Sequence, residues 1–119
     1  RFEKIFSLLK KKKINIQVRS IFLQGLLLYD YKNLPKYFFK FKELKKLDKW
    51  IKKNSISRLE AAISFVKQSK LIDSFVVGFN NFNQLKEIIR LFSKKNNKFP
   101  TNLFSNNIKL IDPRKWIIN

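Results

Sequence analysis

The chain has only two glycines, Gly25 and Gly78. Each closes a short run of β-branched and aromatic residues. Gly25 ends the run from Ile14 to Gln24, and Gly78 ends the run from Ile72 to Val77. Each is followed by turn-forming residues and then by a helical pattern. Glycine serves where the backbone takes a positive φ or must lie close to a ligand. In so glycine-poor a chain, the pair marks two strand ends that turn into functional loops, each leading on to a helix.

The remaining periodicity fills in around these points. Phe2, Ile5, Phe6 and Leu9 predict an amphipathic helix over 2–12, with Lys10 to Lys13 as its solvated end. Residues 14–22 and 73–77 predict strands. Pro35 marks a helix start, and Phe38, Phe41, Leu44, Leu47 and Ile51 place one stripe on a helix over 36–53. Asn54 is expected as its left-handed cap, and Ser57 with Glu60 forms a capping box for the next helix. Asn80 to Asn83 reads as a turn and cap, followed by a helix carrying Leu85, Ile88, Ile89 and Phe92. Residues 96–119 read as a coil tail with a short turn at 108–111.

Strands that alternate with helices imply parallel pairing through helical crossovers. Two strands leave both sheet edges open and do not complete a domain. The fold class is therefore α/β. Residues 1–119 are expected to be the C-terminal fragment of a (β/α)8 TIM barrel, two parallel strands with flanking helices, belonging to a longer chain.

Composition narrows the chemistry. With no cysteine and no histidine, disulfides, thiolate chemistry and the commonest general acid/base and metal ligand are excluded, and no metal site is expected. No apolar run approaches a membrane span, so no membrane partner is expected and the cytoplasm is the expected location. The net charge of +19 suggests an anionic partner. The dominance of Lys, Asn, Ile and Phe suggests instead an AT-rich coding sequence, with lysines spread over the outer faces of helices. The segment Tyr37-Phe38-Phe39-Lys40-Phe41-Lys42 mixes aromatics and cations as base-stacking surfaces do, but its spacing suits a core stripe. Nucleic acid is kept as the minor alternative.

Two segments carry a resemblance. Val18-Arg19-Ser20-Ile21-Phe22-Leu23-Gln24-Gly25-Leu26-Leu27 resembles the seventh barrel strand and loop of the aldo-keto reductases, which often read Tyr-Ser-Pro-Leu-x-x-Gly. Phe75-Val76-Val77-Gly78-Phe79-Asn80-Asn81-Phe82-Asn83-Gln84-Leu85-Lys86-Glu87 resembles the eighth strand and the start of the last helix. The intervening helices, with Ser57, Ala61, Ala62 and Phe65, are similar to the family's connector. The resemblance implies a nicotinamide cofactor, NADPH with NADH as the alternative, and a small-molecule carbonyl substrate.

It places Ser20 at the cofactor pyrophosphate, with Phe22, Gln24 and Gly25 lining the same loop mainly through backbone N–H groups. Gly78 stands at the second strand end. Asn80 and Asn81 fall at the adenosine 2′-phosphate, and Gln84 and Glu87 near the adenine. Barrels commonly hold phosphate at the loops after their last two strands, and helix starts attract anions. Read without the family, Ser20 is a small residue at a strand end and Asn80 and Asn81 are helix caps.

The chain departs from the family pattern at Arg19, where a Tyr is frequent, and at Ile88, where an Asn is frequent. Lys86 is the nearest cation to the 2′-phosphate loop. The family's Asp, Tyr, Lys and His tetrad belongs to earlier strands, so no catalytic residue is assigned. Tyr29, Tyr31 and Tyr37 lie in the wrong segment for that role. The missing N-terminal barrel half is the expected partner, and a non-catalytic nucleotide-binding barrel is the alternative function.

Overall fold

A computed structural model describes residues 3–95 and 98–117. Phe2, assigned to the leading helix, lies outside them. The chain runs α1 (Glu3–Lys11), β1 (Gln17–Arg19), three short 3-10 turns, α2 (Lys42–Lys53), α3 (Arg58–Lys67), β2 (Ser74–Val76), α4 (Phe82–Ser93), a 3-10 turn, α5 (Ile108–Ile111) and a last 3-10 turn. The two strands pair in parallel, with Gln17 opposite Ser74, Val18 opposite Phe75 and Arg19 opposite Val76. This is the crossover topology that the alternation of elements demanded.

Both strands are shorter than their sequence patterns. The first leaves the sheet at Ser20, which takes φ 60°, so Ile21 and Phe22 belong to the following turn and not to a strand over 14–22. The second is trimmed to Ser74–Val76. Only three residues per strand are paired, so the sheet contributes little core of its own.

Most burial lies elsewhere. Leu26, Leu34, Phe38, Phe41, Leu44 and Leu110 form one cluster, with Trp116 packed against it. Ile51, Ala61 and Phe99 form a second. Ile63, Ile88 and Leu91 close the seam between α3 and α4, with Val77 against them.

The helix expected over 36–53 is two elements. Lys36–Lys40 is a 3-10 helix, Phe41 is extended at φ −88°, ψ 103°, and α2 starts only at Lys42. The i, i+3 spacing of Phe38, Phe41 and Leu44 satisfies a three-residue turn as well as an α-helix. All three still reach the same core.

The cap after α2 is shifted by one. Asn54 has φ −97°, and its amide donates to the Trp50 carbonyl at 2.8 Å. The left-handed residue is Ser55, at φ 51°. Ser55 N–H donates to Lys52 O and Ile56 N–H to Ile51 O, at 3.2 and 3.3 Å. That is a Schellman closure, with Ile56 packed on the cluster that holds Ile51.

The Ser57 cap forms as read: its hydroxyl accepts from Glu60 N–H at 3.0 Å. The Glu60 carboxylate turns to Lys94 Nζ at 2.9 Å, tying the start of α3 to the end of α4. Lys67 Nζ crosses the same seam to the carbonyls of Phe92 and Lys94, where a cation meets the negative end of α4.

Much of the expected coil tail is packed. Phe99 and Leu110 are buried. The Trp116 ring meets Phe38 edge-on, with centroids 4.8 Å apart. The Tyr37 hydroxyl donates toward the carbonyls of Lys109 and Lys115, at 3.3 and 3.1 Å. The short turn at 108–111 forms as α5.

Candidate functional site

Because β1 and β2 run in parallel, both turn over at the same end. The loop from Ser20 to Gly25 and the loop from Val77 to Asn81 therefore share one rim of the sheet. The opposite rim is held by Asp73, which binds Ile16 and pairs with Lys10. The Ile16 hydrogen bond, then the Lys10 ammonium, hold the Asp73 carboxyl below its ordinary 3.8. A shallow concavity lined by Ser69, Ile72, Asp73 and Phe75 lies toward that far side.

The first loop is unusual in its backbone. Leu23, Gln24 and Gly25 follow one another at φ 50°, 55° and 81°, and Ser20 is also left-handed. Bonds from Leu23 N–H to Ser20 O (2.9 Å) and from Leu27 N–H to Phe22 O (3.2 Å) lock the turn. Among the described residues, no acceptor engages the N–H groups of Gln24 and Gly25. Ser20 and Gln24 are exposed, and Phe22 and Gly25 are half-buried. Nothing in residue type announced the left-handed Leu23, because side-chain-bearing residues seldom adopt it.

Of the two reasons assigned to the glycines, positive φ holds for one of them. Gly25 has positive φ, whereas Gly78 does not, and a Cβ at Gly78 meets nothing within 4 Å. Gly78 is exposed on the rim, and the folded chain makes no steric demand for glycine there.

In the second loop, Asn81 is the N-cap of α4, with its Oδ1 accepting from Gln84 N–H at 3.0 Å. The Gln84 Oε1 reaches back to accept from Asn80 N–H at 2.8 Å. The two side chains thus fix the loop–helix junction reciprocally. Asn80, Asn81, Gln84, Lys86 and Glu87 are all exposed. So are Arg19 at the end of β1 and Phe79 and Phe82 beside the loop. Every residue assigned to cofactor contact except Glu87, which lies further along α4, thus falls in the two loops at this end of the sheet or in the first turn of α4.

A family model for the aldo/keto reductase family matches residues 2–102. This chain belongs to that family. The match covers the strands, the rim and the α3–α4 layer, and it points to oxidoreductase chemistry. Neither the curated proteins nor the solved structures provide a match to the chain.

The rim's donors fit the anionic end of the family's nicotinamide cofactors. Two unengaged N–H groups stand in the left-handed turn, α4 opens on the same side, and no carboxylate occurs between Ser20 and Gly25 or between Val77 and Gln84. Neither loop offers a proton donor of the family's tetrad. Tyr37, whose hydroxyl is engaged by the tail, is structural. Among the described residues no helix is long and apolar enough to cross a membrane, and no cluster of acidic side chains could hold a metal.

Proposed function

We propose that this chain is the C-terminal part of a (β/α)8 aldo/keto reductase that reduces an aldehyde or ketone with NADPH, NADH being the alternative. In this reading β1 and β2 are the last two barrel strands, and their rim clamps the cofactor's phosphates. The observation that carries it is the parallel register of Arg19 with Val76, which delivers both loops to one edge.

The N–H groups of Gln24 and Gly25, with Ser20 beside them, hold the pyrophosphate. Asn80 and Asn81 at the start of α4 face the 2′-phosphate, and Gln84 and Glu87 border the adenine. Phe22 and the exposed Gly78 shape the two walls. When bound, the cofactor supplies the hydride, while the protein positions and polarises it. The proton donor belongs to the missing N-terminal barrel half, so the chain alone has no turnover.

Titrating the chain with 2′,5′-ADP and following backbone amide resonances tests this reading. Shifts confined to 20–25 and 78–87 are expected. Shifts at the Asp73 rim, no shifts at all, or carbonyl-dependent NADPH oxidation by the chain alone overturn it.

A further inference from the structure

We propose that the outer face of α2 is a docking surface for the phosphate backbone of a nucleic-acid duplex, a function separate from the cofactor rim. The lysines are not evenly spread over the fold. Half of the twelve residues of α2 are lysine: Lys42, Lys45, Lys46, Lys49, Lys52 and Lys53. At about 100° per residue, all six fall within roughly 120° of the helix circumference. All six are exposed, while Leu44, Asp48 and Ile51 face inward.

The acids nearby do not neutralise this face. Asp48 is buried and pairs with Arg58 and with Lys52, which lies 2.8 Å away. Glu43 accepts from the Ser105 hydroxyl at 3.2 Å, and Asp30 pairs with Arg58. Among the described residues, Lys42, Lys45, Lys46, Lys49 and Lys53 meet no carboxylate. Like charges at i, i+4, as in Lys42–Lys46, Lys45–Lys49 and Lys49–Lys53, weaken a helix. A polyanion laid along the face removes that repulsion.

The chemistry of the face selects the partner. A helix that lies in a lipid surface needs an apolar side that enters the bilayer. The apolar side of α2 is already occupied by Phe41, Leu44 and Ile51 in the core. What remains outward is a strip of ammonium groups about 17 Å long, given 1.5 Å per residue. Lysine is a point charge suited to phosphate, and it carries no base-reading geometry. Binding through this face is therefore independent of base sequence.

The test is fluorescence anisotropy of the full chain with a short mixed-sequence DNA duplex across a salt series. Five phosphate contacts give a slope of log K against log salt of about −4.5, or roughly 500-fold weaker binding at 200 mM than at 50 mM salt. In K42Q/K46Q/K49Q/K53Q the slope is expected to fall to about −1. In K70Q/K86Q/K95Q/K98Q, which removes the same charge elsewhere, it stays near the parent value.

Circular dichroism checks that each variant folds. If the quadruple variant does not, K42Q/K49Q should still reduce the slope by about two. Equal loss in both quadruple variants means diffuse charge alone and overturns the proposal. So does absence of duplex binding, or binding to phosphatidylserine vesicles at salt concentrations that release the duplex.

Discussion

Ile16 and Asp73 hold each other in both directions: Ile16 N–H donates to the Asp73 carboxylate at 2.7 Å, and Asp73 N–H donates to the Ile16 carbonyl at 2.9 Å. The pair sits at the entry of both strands and sets their register from the rim opposite the candidate site. Lys10 at the end of α1 pairs with the same carboxylate. A local side-chain clamp therefore does for this two-stranded sheet what further strands do for a wider one.

This clamp makes the fold acid-sensitive. The carboxyl of Asp73 is held below its ordinary 3.8 by the Ile16 hydrogen bond and by Lys10. A depressed folded-state value stabilises the native chain above the unfolded value, and the benefit disappears as pH falls through the folded one. Asp73→Asn should lower the melting temperature at pH 6, and the difference from the parent should close as pH falls through the lowered folded-state value. Thermal melts followed by circular dichroism at fixed ionic strength check this. A difference that persists unchanged at low pH contradicts it.

Asp48 should behave as a buried partner and not as a surface one. Burial pushes its carboxyl up, but the Lys52 hydrogen bond, the charges of Arg58 and Lys52 and a hydrogen bond with the Tyr31 backbone outweigh burial, so the net direction is down. Arg58→Met removes the buried partner and leaves that carboxylate only the exposed Lys52 and the Tyr31 backbone, and should cost about 2 kcal/mol. Lys52 is 73% exposed, so Lys52→Met should cost less than about 1 kcal/mol. Urea denaturation distinguishes the two, and equal effects would show that Arg58 is not the controlling partner.

The two glycines should respond oppositely to alanine. Gly25 is at φ 81°, a conformation that costs a Cβ-bearing residue about 1–2 kcal/mol. Gly78 has no positive φ and open space around its Cβ, so Gly78→Ala should be neutral or stabilise by up to about 1 kcal/mol through the unfolded chain. The stability of the two variants, measured side by side, decides it. If Gly78→Ala then weakens 2′,5′-ADP binding while leaving stability intact, the glycine serves the ligand and not the fold.

Phe38 should be the most costly truncation. It is 1% exposed and meets Trp116 from the tail as well as Tyr37 and Phe41. Phe38→Ala should destabilise by about 3–5 kcal/mol. Its loss should also release the tail, seen as faster amide exchange at Leu110 and Trp116. Destabilisation without that release would mean the tail is held by other contacts.

The sequence by itself determined what depends on neighbours along the chain. Alternating β-branched runs and helical stripes required parallel strands on a helical crossover, and Ser57 and Asn81 announced their caps because capping is a three-residue interaction. Parallel pairing then obliged Ser20 and Asn80 to lie toward one rim. Tertiary structure decided the rest. It ended β1 at Arg19, turned Leu23 left-handed, moved the cap from Asn54 to Ser55 and drew Trp116 onto Phe38. It also turned Asp48 inward to Arg58, so that among the described residues five of the six lysines of α2 meet no carboxylate. Each of these outcomes depends on which distant surface a residue meets, and local periodicity carries no record of that surface.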